Sequence, residues 1–224
     1  DVYKVFFLTD LSENASQNHV IEDQLPNQQN ETPASSSISD EINDPGVKQR
    51  NNYFSTEPIS YQDSLSNTNP QNDIENLLSL ANQVNVKIVT ISKNEITYIQ
   101  DYLNQKTNYI GLKNKLNKSL NQKKTIYNDF QSYHETYIKN DMGSFYEETK
   151  KRIEESIAFT NQASALLDAV LSSSEFDTLV NSYIEKDESI RKSQAEMLIE
   201  ILKMHNIPYT VDDENNQIVY SVQK

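Results

Sequence analysis

Histidine is the side chain most often recruited as a general base near neutral pH, and His134 and His205 are the two that lie among patterned residues; His19 sits in a polar stretch. Neither has a nucleophile and an orienting carboxylate at a recognisable spacing. His134 is flanked by the apolar-repeat positions Tyr133 and Tyr137. His205 falls where a helix should end, a place where the helix dipole favours a cation. Both read as structural. Asp212, Asp213 and Glu214 could hold a calcium ion loosely, but as the tip of a hairpin they are ordinary solvated acids. Lys113, Lys115, Lys118, Lys123 and Lys124 form the one basic stretch. It could meet an anionic partner, or complement the acid-rich later helices that carry Glu147, Glu148, Glu154, Glu155, Glu185, Asp187 and Glu188. The chain has no cysteine, so it can build neither a disulfide nor a thiolate zinc site by itself. It also lacks a phosphate-cradling glycine loop, HExxH, G-x-S-x-G and an EF-hand loop. These residues predict a protein that is not an enzyme and uses no cofactor or metal.

A net charge of -13 argues against nucleic acid or an anionic membrane surface as partner, because attraction to phosphate needs a basic face. No run approaches the ~20 apolar residues of a membrane span. The expectation is a soluble chain, with membrane attachment only through an anchor upstream of Asp1. Five of the six prolines precede residue 71, and the rest of the chain meets only Pro208, which suits long helices.

The element that must position everything else runs from Ile74 to Tyr137. Steps of three and four residues from Ile74 land on Leu77, Ala81, Val84, Ile88, Ile91, Glu95, Tyr98, Tyr102, Gln105, Tyr109, Leu112, Leu116, Ser119, Lys123, Ile126, Phe130, Tyr133 and Tyr137. Fifteen of the nineteen positions are apolar or aromatic, and the phase never slips, which is the pattern of a coiled-coil seam. Two features compete with one continuous helix. Val84 to Ile91 is dense in β-branched residues and is followed by Ser92 and Glu95 at capping-box spacing, so it could be a strand. Asn104 to Asn108 and Gly111 are poor helix formers that could turn the chain.

Around this element the predicted fold is mainly α. Residues 1–72 are a low-complexity, mostly disordered spacer, with Val2 to Leu8 as a short strand and Tyr53, Phe54, Ile59 and Tyr61 as sparse aromatic and apolar points. Residues 73–206 are a coiled-coil and antiparallel helical-bundle domain. In it Asp73 caps the first helix, the chain reverses near Gly143, Ser144 and Glu147 open a second helix, and Ser174 caps a third. Residues 207–224 are a small C-terminal β-hairpin.

The stretch from Ala195 through His205, Asn206 and Ile207 to Val222 resembles the helix, "HNI" turn and strand of the ring-building modules of bacterial type III secretion and sporulation-channel rings. That resemblance implies side-by-side assembly in an envelope ring. The wider pattern predicts a non-catalytic structural or interaction protein, extracytoplasmic or at a cell surface, that presents a helical scaffold to protein partners. A small-ligand-binding or enzymatic helical domain with a scattered site is the competing class. If Ile74 to Tyr137 is one helix it is about 95 Å long, and the two later helices, about 40 Å each, cannot cover it. Leu77, Val84, Ile88, Ile91, Tyr98 and Tyr102 would then form a seam for a protein partner or for self-association. A break between Asn104 and Gly111 would instead fold the early half back into a four-helix bundle.

Overall fold

The computed structural model describes residues 2–11, 70–139, 142–169 and 172–222. In chain order these form β1 (Val2–Phe7), α1 (Pro70–Leu103), α2 (Tyr109–Gln131), a short α3 (His134–Lys139), α4 (Gly143–Asp168), α5 (Ser173–Met204), β2 (Tyr209–Asp212) and β3 (Gln217–Val222). Helices α1, α2, α4 and α5 make a bundle, and the strands make a three-stranded antiparallel sheet in the order β1, β3, β2. The spacer reading and the points Tyr53, Phe54, Ile59 and Tyr61 lie outside the described residues.

The single long helix is not formed; the chain turns back at residues 104–108, where a left-handed backbone residue closes α1 and one side chain caps α2. Gln105 adopts the left-handed conformation, with φ of 59°. The Gln105 N–H reaches Tyr102 O at 3.0 Å and the Lys106 N–H reaches Asp101 O at 2.8 Å, the paired bonds that close a helix C-terminus. Asn108 then caps α2, its Oδ1 accepting from the Gly111 N–H at 2.8 Å. Val84 to Ile91 is helical, so β propensity yields to the apolar period.

Other boundaries also move. α1 begins at Pro70, whose fixed φ suits a first helical position, so Asp73 lies inside the first turn and is not the cap. Gly143 opens α4 behind Met142, and Ser144 is not the cap. The cap of α5 is Ser172, in a capping box with Glu175, two residues before the expected Ser174. α5 ends as the sequence implies. Asn206 takes a left-handed φ of 52°, Ile207 N–H returns to Leu202 O at 2.8 Å, and the Ile207 side chain is buried.

The fold-back covers the seam. Leu77, Val84 and Ile88 are fully buried in one apolar cluster with Phe130, Tyr137, Phe145, Ile153, Leu198 and Leu202, and Ile91 packs at its edge. Tyr98 and Tyr102 pack against a second cluster built from Ile96, Ile99, Leu112, Leu116, Phe159, Leu167 and Phe176. Burying each large side chain is worth about 1.5 to 3 kcal/mol, so six that a straight helix would leave wet decide for the hairpin. The expectation of a partner-facing seam through these six residues is therefore corrected: their own chain occupies it.

Residues 2–11 belong to this body. β1 pairs with β3 over its whole length, from Val2 opposite Val222 to Phe7 opposite Gln217, and β2 pairs on the other side, Tyr209 opposite Tyr220. Phe6, Ile218 and Tyr220 are buried on the inner face, and Phe6 meets Phe145 edge to face at 5.8 Å. The outer backbone groups of β1 are covered by α1: Phe7 N–H donates to Asn82 Oδ1 at 3.0 Å, and Asn82 Nδ2 donates to Val5 O at 3.5 Å. Beyond the strand Leu11 is buried in the second cluster, so residues 2–11 are not part of the spacer expected over residues 1–72.

The turn makes two opposite predictions. Gln105→Gly removes the cost of a side chain in the left-handed region and should raise stability by about 1 kcal/mol. Asn108→Ala deletes the cap and should lower it by about 1 kcal/mol. Urea unfolding of both variants checks the pair; equal signs would contradict this account of the turn.

Candidate functional site

Between the two apolar clusters lies a layer of polar side chains supplied by all four long helices. Its centre is an ion pair between Lys123 of α2 and Glu95 of α1, both side chains fully buried. An ammonium group has three donors, and each is used: one on Glu95 Oε2, one on Ser156 O at 2.9 Å and one on Thr160 Oγ1 at 3.0 Å. Thr160 in turn donates to Glu95 Oε1 at 2.7 Å. Burial pushes the Glu95 carboxyl above its ordinary range, with Lys123 and Thr160 pulling it back only in part. Burial likewise pulls the Lys123 ammonium below its ordinary value, against the attraction of Glu95.

One turn away, Arg152 of α4 faces Asp187 of α5. Its Nε and Nη2 reach the two carboxylate oxygens at 2.7 Å each, a bidentate pair inside the bundle. Burial works against the Arg152 charge, but Asp187 outweighs it and holds the guanidinium above its usual value. Arg152 Nη2 also donates to Thr9 O at 2.9 Å. Ser92 and Tyr183 share a hydrogen bond of 2.8 Å, and burial, reinforced by Asp187, drives the Tyr183 phenol strongly upward. Gln194 donates to Thr149 Oγ1 at 2.9 Å and to Asn85 Oδ1 at 3.4 Å, leaving Asn85 Nδ2 without a partner.

An amine and a carboxylate in van der Waals contact can exchange a proton, but a substrate must reach them. The Phe159 and Tyr183 rings stack at 4.4 Å above Lys123. The cleft beside them has room for about one water. A larger surface groove, about 260 Å³, is lined by Gln131, His134, Tyr146 and Lys150, away from this layer. There His134 lies against the Tyr146 ring at 5.0 Å. His205 is the C-cap of α5.

The basic stretch does not act as one face. Lys123 is inside; Lys113 bonds Asp168 Oδ2 at 2.6 Å and Ser164 Oγ at 2.9 Å; Lys115 sits 4.2 Å from the centre of the Tyr98 ring. Of these five lysines, only Lys118 and Lys124 are exposed. Asp212 is committed to its own turn, accepting from Asn215 N at 3.1 Å, Asn215 Nδ2 at 2.8 Å and Gln217 Nε2 at 3.0 Å. Those bonds hold its carboxyl below the usual range. Among the described residues no group of three or more His, Cys, Asp or Glu is placed to hold a metal ion, and no helix is long and apolar enough to cross a membrane.

Sequence reasoning missed Glu95, Lys123, Arg152 and Asp187 as a unit. A signal was present for two of them, because Glu95 and Lys123 are polar residues at seam positions where the pattern demands apolar ones. Comparison with known proteins adds no relative: no family model, curated protein or solved structure matches this chain.

Removing one partner of a buried pair strands the other, so Lys123→Met should cost about 3 to 5 kcal/mol, whereas Glu95→Leu with Lys123→Met should cost far less. A carboxyl raised above its unfolded 4.5 contributes stability that is full below that value and lost as pH rises through the folded value. Without Lys123 the carboxyl rises further, so the deficit of Lys123→Met should be larger at pH 7 than at pH 5. Urea titrations at the two pH values measure it; a deficit that shrinks with pH would refute the pairing.

Proposed function

We propose that this chain is a non-catalytic structural and interaction module of a cell envelope or surface, presenting a helical scaffold to protein partners. The observation that carries this reading is the saturation of the buried charges. Lys123, Glu95, Arg152 and Asp187 spend their donors and acceptors on one another and on neighbouring hydroxyls and carbonyls, and none of the four lines the water-sized cleft beside Phe159 and Tyr183. Groups bound in this way hold helices together, and a reaction would need at least one of them free to face a substrate. Among the described residues, the large apolar side chains that stay exposed are Tyr109 and Ile110 where α2 begins, Met204 at the close of α5, and Val211 within β2. Partners that read a helical scaffold would meet these first.

A second reading, a subunit of a secretion or channel ring, is favoured by one observation. Residues 195–222 fold as a helix, a left-handed turn at Asn206 and a hairpin, with β2 on the outside of the sheet and Thr210 and Val211 exposed on it. Side-by-side assembly through that edge would give a closed particle of many copies, which sedimentation separates from a monomer.

A thermal-shift screen of the full chain against divalent metals, nucleotides and sugars tests the main reading against a ligand-binding or enzymatic one. A ligand at a hundredfold its Kd adds about 2.7 kcal/mol, on the order of 5 to 10 °C for a domain of this size. The expected result is no shift of that size from any class. One reproducible shift of several degrees would overturn the reading.

A further inference from the structure

Residues 2–11 lie in a cleft formed by elements remote from them in sequence. β1 takes the free edge of β3, Lys4 pairs with Glu75, and Asn82 bonds both Val5 and Phe7. Leu8 N–H donates to Asn216 O at 2.7 Å, and Arg152 holds Thr9 O at 2.9 Å. Phe6 and Leu11, 1 % and 2 % exposed, are the two apolar anchors, one in each core cluster. Every one of these contacts is made to residue 75 or beyond. The cleft therefore recognises a segment of strand with anchors five residues apart and a cation two residues before the first, and nothing in that recognition requires the segment to come from the same chain.

We propose that this cleft is an interface between copies: a second copy of the chain supplies its own residues 2–11 to the cleft, reciprocally, in place of the resident arm. The length of chain between Leu11 and Pro70 makes both arrangements reachable. The 58 residues 12–69 can span at most about 200 Å, several times the length of α1. A shorter connection could not serve the closed form. Leu11 belongs to a cluster whose first member on α1 is Val89, and α1 climbs about 28 Å from Pro70 to that level. A connection of four residues reaches only about 18 Å. The arm and its cleft are identical in every copy, so exchange keeps each bond already described. Which form prevails depends on protein concentration against the effective concentration that the connection gives the resident arm, of millimolar order.

The absence of cysteine makes exchange directly readable. Val5 and Val219 are paired across β1 and β3, and a disulfide between cysteines at those positions reports which chain supplied the strand. Full-length Val5→Cys and Val219→Cys chains are mixed, unfolded, refolded together and oxidised, and linkages are identified by peptide mapping. A 5-to-219 linkage between chains is expected to be minor at about 10 µM and to become a major product near 1 mM. A second variant carries both cysteines and lacks residues 14–67, so that four residues join Leu11 to Pro70. It should run at twice the monomer mass even at about 10 µM, linked 5-to-219 between chains, and Leu11→Asp in the same background should return it to monomer. No interchain 5-to-219 linkage near 1 mM, an intrachain linkage in the shortened chain, or a dimer that survives Leu11→Asp would each overturn the proposal.

Discussion

Burying Lys123 against Glu95 is the constraint to which the rest of the bundle conforms. Two charges taken out of water incur a desolvation cost of several kcal/mol each, recovered only when geometry and additional hydrogen bonds are complete. Completion here requires α1 to bring Glu95, α2 to bring Lys123, and α4 to bring Ser156 O and Thr160 to one place. The neighbouring Arg152 and Asp187 fix α5 on α4 in the same manner, and Ser92 with Tyr183 fixes α1 on α5. An apolar seam alone would not do this. Its phase is unbroken from Ile74 to Tyr137, so sliding one helix by a heptad would still present apolar residues to apolar residues. After such a slide Lys123 would face an apolar position and Glu95 would lose its cation. The polar layer thus penalises wrong registers more than it stabilises the right one, and this is the best-attested role of buried charge in helical assemblies.

Much of the fold was legible in the sequence because long apolar periods survive tertiary context. The helical character of the four long segments, the turn near Asn104 to Asn108 as an alternative to continuity, the end of α5 before Pro208 and the terminal hairpin all follow from period and turn chemistry. The choice between a straight helix and a hairpin did not. Local propensity at Gln105 is weakly against helix in either case, and the deciding quantity is how much seam the later helices cover, which depends on the turn itself. The caps moved by a few residues because Ser and Glu at capping spacing are common in this chain, and only one such pair lies where a helix starts.

The candidate site was legible only as a set of exceptions. Of the four seam positions that are not apolar, Glu95 and Lys123 pair with each other, Ser119 is buried, and Gln105 is the left-handed residue that ends α1. A repeat that runs without a break through Gln105 belongs to two helices that face each other, so its polar members were bound to meet or to mark the bend. Arg152 and Asp187 gave no such signal. They fall on helices whose stripes are broad, and a charged residue at the margin of a broad stripe looks solvated until its partner is known.

Residues 2–11 connect the sheet to this logic. Phe6 enters the first cluster beside the sheet, Leu11 enters the second, and between them the Thr9 carbonyl takes a donor from the Arg152 guanidinium that also grips Asp187. The arm therefore spans both apolar clusters and the polar layer that separates them. An arginine bonded to a carboxylate on two sides still has N–H groups to satisfy, and in a closed bundle a backbone carbonyl from outside the helices is a partner that brings no further charge to be buried. Helical backbone carbonyls already spend one lone pair along the helix, whereas those of an extended segment that has left its sheet have no ladder partner. The same Thr9 carbonyl that completes the Arg152 shell is therefore available because β1 ends at Phe7, and the sheet and the bundle core are parts of one polar solution.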